Sequence, residues 1–98
     1  MEFEFHPDAL AEFKAETTYY EAIESGLGRE FADEILRVIE LARLFPNIGS
    51  PEEGNVRSLL AKRFPFLIYY EIMGTKLWIW AVMHAARERG YWKSRKQG

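Results

Sequence analysis

Polar and apolar positions alternate at the start of the chain, in Glu2-Phe3-Glu4-Phe5, which puts Phe3 and Phe5 on one side of a short strand. His6-Pro7-Asp8 ends that alternation. Pro7 suits the first turn of a helix, where its missing N–H is harmless. Leu10, Phe13, Thr17 and Tyr20 then recur at helical spacing and share one face. Ser25-Gly26 predicts the stop, because glycine accommodates a left-handed cap. A second stripe follows in Phe31, Ile35, Val38, Ala42 and Phe45, and Pro46 ends it. Glu30, Asp33 and Glu34 near its start and Arg43 near its end complement the helix dipole. Two amphipathic helices joined by so short a link form an antiparallel hairpin.

Residues 46–55 are rich in Pro, Gly, Ser and Asn and read as a loop. Three extended segments follow. Residues 56–61 form a short one. Residues 64–72 alternate, placing Phe64, Phe66, Ile68, Tyr70 and Ile72 on one face, with Pro65 at the start. Met73-Gly74-Thr75 reads as a tight hairpin connection. In residues 76–84, strict alternation sends Leu77, Ile79, Ala81 and Met83 one way and Trp78, Trp80, Val82 and His84 the other. Both faces are apolar, so this strand is expected to be central. The order β-α-α-β-β-β predicts an α+β fold, a helical hairpin packed on a small, mainly antiparallel sheet. One domain spans residues 1–98, with a basic C-terminal tail at 87–98. The pattern leaves open where the first strand joins the sheet.

Composition narrows the function classes. The 98 residues include no cysteine, which removes disulfides, thiolate metal sites and cysteine nucleophiles together. No apolar run approaches the ~20 residues of a membrane-spanning helix, and the acidic alternating start is unlike a signal peptide. A soluble, cytoplasmic protein without membrane partners is expected. The formal net charge is −2, yet it is unevenly spread. Residues 1–53 sum to −9 and residues 54–98 to +7. Such asymmetry suggests a basic face for an acidic partner, protein or nucleic acid, or simply Glu-rich helices beside a solvated Lys/Arg-rich end.

The candidate chemistry is sparse. His6 and His84 are the only histidines, and neither sits in a metal-ligand spacing. No phosphate-cradling glycine motif occurs, so neither a metal nor another cofactor is expected. What remains is a set of groups from the sheet and tail: Arg57, Arg63, His84, Arg87 and Tyr91. Guanidinium groups grip phosphate or carboxylate in bidentate geometry, and His and Tyr can donate protons. If the strands bring them to one side, the set suits a metal-independent ribonuclease, and equally suits the gripping of an acidic protein segment. No general base accompanies it. Trp78 and Trp80 either stack on bases or pack the sheet.

The residues also carry a resemblance. Tyr19-Tyr20-Glu21 with Gly26-Leu27-Gly28, then Arg57 ahead of Phe64-Pro65-Phe66-Leu67-Ile68-Tyr69-Tyr70, then Ile79-Trp80-Ala81-Val82-Met83-His84 with Arg87 and Gly90-Tyr91-Trp92, follow in order and spacing. Together they resemble the RelE/ParE superfamily of small bacterial toxins. The Phe-Pro-Phe and Tyr-Trp detail is closer to ParE. The resemblance implies a type II toxin, neutralised by a cognate antitoxin and touching operator DNA only through it. ParE-like members inhibit DNA gyrase; RelE-like members cleave mRNA on the ribosome. A third possibility is a degenerate member that only binds a partner. Carried over by position, Arg57, His84, Arg87 and Tyr91 would be catalytic in a ribonuclease. Arg57, Arg63, Arg87, Trp92 and Arg95 would form the partner-binding set. The net acidic charge and the Ala85-Ala86 pair depart from the basic RNA-cleaving surface and favour gyrase.

Overall fold

The computed structural model describes residues 1–87 and 90–96. Strand β1 (Glu2–Phe5) leads into helices α1 (Pro7–Ile23) and α2 (Leu27–Leu44). Strands β2 (Ser50–Pro51), β3 (Arg57–Leu60), β4 (Phe66–Met73) and β5 (Lys76–His84) follow, and a 3-10 helix (Tyr91–Lys96) ends the described chain. The sheet order is β1-β5-β4-β3-β2. β1 pairs parallel with β5, and the other neighbours are antiparallel. The α+β hairpin-on-sheet architecture is thus as expected. The two-residue strand β2 is new, because it lies inside the segment that composition marks as loop.

The helices meet at a glycine. A Cβ on Gly28 would lie 2.5 Å from the Thr17 carbonyl oxygen and 2.8 Å from Glu21 Cβ, so the first turn of α2 can approach α1 this closely only without a side chain. The Glu21 carboxylate accepts the Gly26 and Gly28 N–H groups at 3.0–3.1 Å. It thereby satisfies donors that a helix start leaves open and complements the dipole. α2 supplies most of the helical core through Phe31, Ile35, Val38, Ile39 and Ala42. Phe31 is fully buried, with ring centroids 5.1 Å from Tyr20, 5.3 Å from Phe64 and 4.9 Å from Phe66.

β5 departs from strict alternation. Tyr69 pairs with Ala81 and Tyr70 with Ile79, so Trp80 is an extra residue on β5. A bulge of this kind turns the following side chains over. Leu77, Ile79 and Val82 therefore face the helices, whereas Trp80, Ala81 and Met83 join a second cluster on the opposite face. The expected grouping of Leu77 and Ile79 with Ala81 and Met83 fails at this point.

The second face is covered by the chain's end. Trp92 is 2% exposed and stacks at a tilt on Tyr69, centroids 5.4 Å apart. A solvated basic end is therefore not what residues 90–96 form; they pack as a short helix on the sheet. Residues 88, 89, 97 and 98 of the expected 87–98 tail lie outside the described residues.

Glu12 fastens that helix. β1 stops opposite Ile79, and the edge of β5 beyond it has no strand neighbour on that side. The Val82 N–H donates to Glu12 Oε1 at 3.1 Å, and Arg95 donates to the Trp80 carbonyl at 2.7 Å. Arg95 also grips Glu12 in a fork, at 3.0 and 2.8 Å, and the Tyr91 hydroxyl donates to Glu12 Oε2. The Glu12 and Arg95 side chains are only 15% and 10% exposed.

Two expectations follow for stability. Glu12→Gln takes from the buried Arg95 guanidinium its forked carboxylate, leaving only Asp8 at 3.7 Å, and is expected to cost about 2–3 kcal/mol. Urea unfolding at neutral pH measures that loss, and tryptic cleavage within residues 91–96 should accelerate with it. Glu34 gives a pH signature. Its carboxylate accepts a two-pronged bond from Arg37 (2.7 and 2.9 Å) and the Lys62 N–H (2.7 Å). The Arg37 bond, with the Lys62 N–H assisting, outweighs burial and holds Glu34 at about 2, against an ordinary 4.5. The folded state therefore binds fewer protons than the unfolded one, and this stabilisation is full above pH 4.5 and fades toward pH 2. Glu34→Gln should cost about 1–2 kcal/mol at pH 7, and the gap to wild type should close across that acid window.

Candidate functional site

The candidate groups are distributed by the sheet into separate places. Arg57 opens β3 opposite Tyr70, whereas His84 ends β5 opposite Phe66. Those two register positions are four residues apart along β4, ~13 Å at the usual rise, and Arg57 and His84 also stand on opposite sides of β4. They do not share a site. Arg63 is elsewhere again, paired with Glu30 of α2 at 2.6 Å and lying 5.6 Å from the Phe64 ring centroid.

His84 faces the helices because of the bulge at Trp80. Its ring meets Phe66 at 5.2 Å, and its Nδ1 accepts the Ala86 N–H at 3.0 Å. In the neutral ring this leaves the proton on Nε2. His84 lines an open groove of about 430 Å³ with Glu16, Tyr19, Tyr20 and Ile23 of α1.

Arg87, Tyr91 and Arg95 do come together, around Glu12. The Arg87 guanidinium lies 4.0 Å from the Tyr91 ring centroid and that of Arg95 4.8 Å, so the ring is flanked by two cations. Arg87 reaches Glu12 at 3.7 Å. Burial first, and then the bond to the Glu12 carboxylate, push the Tyr91 hydroxyl well above its ordinary value. It is therefore a poor proton donor while Glu12 holds it. Glu12 is the residue that sequence reasoning missed. Its signal was the Asp8/Glu12 pair one helical turn apart on α1. Asp8 also reaches Arg95, at 3.7 Å. Trp92, expected on a partner face, is core instead, and Arg95 is spent on internal bonds.

Arg57 stands in a polar cleft of about 330 Å³ between the 46–55 loop and strands β3 and β4. Its Nη1 donates to the Gly49 carbonyl at 2.8 Å and to that of Asn47 at 3.3 Å. The Tyr70 hydroxyl ties the same loop, donating to the Pro46 carbonyl and accepting the Gly49 N–H, both at 2.9 Å. Burial keeps that phenol above its ordinary value, despite the Gly49 N–H and nearby Arg57. A Cβ on Gly49 would lie 2.6 Å from the Tyr70 hydroxyl and 2.8 Å from the Ser58 carbonyl, so the loop can sit this close only with glycine there.

The expected basic face is largely neutralised from within. Arg63, Lys76, Arg87, Lys93 and Arg95 all pair with acids from residues 1–53. Lys96 pairs with Glu71, which also accepts the Trp80 indole N–H at 2.9 Å. Among the described residues no cluster of three or more His, Asp or Glu side chains is arranged to hold a metal ion. No helix among them is long and apolar enough to cross a membrane.

Comparison with known proteins agrees with this architecture. The family model described as ParE toxin of type II toxin-antitoxin system, parDE, matches residues 3–89. No curated protein matches the sequence. A solved structure, the chromosomal ParDE TA system from P. aeruginosa, has a similar fold, with a TM-score of 0.73. That likeness covers 86% of this chain and 95% of the other, at 21% identity. With nearly its whole length inside the family pattern, the chain belongs to the ParE toxin family of type II toxin–antitoxin systems.

Proposed function

We propose that the chain inhibits DNA gyrase in the cytoplasm and is silenced by direct binding of a cognate antitoxin, through which alone it contacts operator DNA. The observation that carries this reading over RNA cleavage is the use of Glu12. One carboxylate holds the Tyr91 hydroxyl and lies 3.7 Å from Arg87, two groups a ribonuclease would need free for leaving group and phosphate, and it binds Arg95 as well. Arg57 stands too far from His84 to complete a phosphate site with it. A surface whose cations are mostly paired gives little of the unbalanced positive charge that ribosomal RNA demands. Antitoxin binding draws support from family membership and from the apolar side chains left exposed on the hairpin and loop, such as Tyr19, Ile23, Leu44 and Phe45, each near 60%.

Purified protein assayed against gyrase supercoiling, beside a translation reaction monitored for mRNA cleavage, separates the alternatives. Supercoiling is expected to be inhibited, and restored by the antitoxin, with mRNA left intact. Cleavage that disappears in His84→Ala, without any effect on gyrase, would overturn the proposal in favour of the ribonuclease. Silence in both assays, with harmless expression, would leave a partner-binding member of the family.

A further inference from the structure

Among the described residues the arginines are paired with acids, with one exception. Arg29, Arg37, Arg43, Arg63, Arg87 and Arg95 each have a carboxylate within 4.0 Å. Among the described residues Arg57 alone does not, and meets only the carbonyls of Asn47 and Gly49. Those carbonyls orient the guanidinium through Nη1 and leave its Nε and Nη2 edge without a protein acceptor. That edge is the one that takes a carboxylate in fork geometry. The setting is built rather than incidental: Tyr70 pins the loop at two points and Gly49 admits the close packing. Arg57 as a residue is partly buried and lines the cleft, where a single ion pair is screened less than on open surface.

We propose that the Arg57 cleft is a receptor for one carboxylate side chain of a protein partner, and that the antitoxin supplies it. The second half of this rests on the toxin reading above; the first does not. The chemistry favours a protein acid over a nucleic-acid backbone. The cleft has one cation, its wall includes the apolar Val56, Pro51 and half-exposed Ile72, and the loop beside it carries Glu52 and Glu53. A polyanion needs several cations in a row. An acidic side chain flanked by apolar ones needs one, with apolar surface nearby. Phe45 and Ile48, 58% and 48% exposed, bracket Pro46 and Asn47 of the cleft in sequence.

The test is a titration of the isotope-labelled chain, followed by NMR, with N-acetyl-aspartate amide at neutral pH and constant ionic strength. Inorganic phosphate and chloride serve as the other arms. The expected result is a saturable shift of the Arg57 Nε–H and of the Gly49 and Asn55 amides, with chloride inert. Arg57→Lys keeps the charge but loses the fork, and should weaken binding about tenfold. Arg57→Gln should abolish it. Shifts that match chloride, or that survive in the glutamine variant, overturn the receptor. Saturation by phosphate at lower concentration than by carboxylate overturns it in favour of a nucleic-acid contact. Should the glutamine variant unfold, the wild type and lysine variant decide alone. The antitoxin is then bound to wild type and Arg57→Lys. An unchanged affinity overturns the antitoxin as the source of the acid, whatever the gyrase assay gives.

Discussion

Strand β5 continues from Trp80 to His84 past the end of its parallel neighbour β1, and backbone groups left there cannot remain unbonded in a buried place. Much of the molecule is arranged to meet that need. α1 lends Glu12 to the Val82 N–H, and the C-terminal helix lends Arg95 to the Trp80 carbonyl. The two side chains then bind one another, so the same contact that closes the sheet edge anchors residues 91–96. Once anchored, the short helix brings Trp92 down over Tyr69 and dries the second face of the sheet. A charge pair that would contribute little on open surface is here joined to backbone bonds and to apolar burial.

The uneven charge of the sequence finds its explanation in the same arrangement. Acids of the first half and bases of the second meet across the fold, at Glu4 and Lys76, Glu12 and Arg95, Glu30 and Arg63, and Glu53 and Lys93. The gradient along the chain is therefore mostly internal complementarity. Little of it survives as a field directed at a partner. Arg57 is distinctive against that background, because its neighbours are carbonyls that position it without neutralising it.

Helices and long strands were legible because burial imposes a period on them. Phe31, Ile35, Val38 and Ala42 at helical spacing do face the core, as do Phe66, Ile68 and Tyr70 at strand spacing. Features without a period were not legible. β2 is two residues of backbone pairing, with no hydrophobic signature of its own. The bulge at Trp80 leaves the sequence alternating while the side chains change phase, which redirects His84 toward α1. The place of β1 beside β5 depends on contacts between the chain's ends, which local pattern does not encode. The candidate site was read from residue types in chain order, so Arg57 and His84 were grouped although β4 holds them apart. Glu12 escaped because an acid on a helix face looks solvated until a buried arginine is found opposite it.

The parallel seating of β1 on β5 also bears on how the chain acquires its shape. Glu2 waits for Lys76, and Glu12 for Arg95, 83 residues downstream. Hairpins and the helix pair can form early from local contacts, but the closing contacts join the two ends and are the slow, entropically costly ones. The seal on the β5 edge and the cover over the second face therefore belong to the late, long-range contacts, and any surface built on them is the last part of the molecule to take shape.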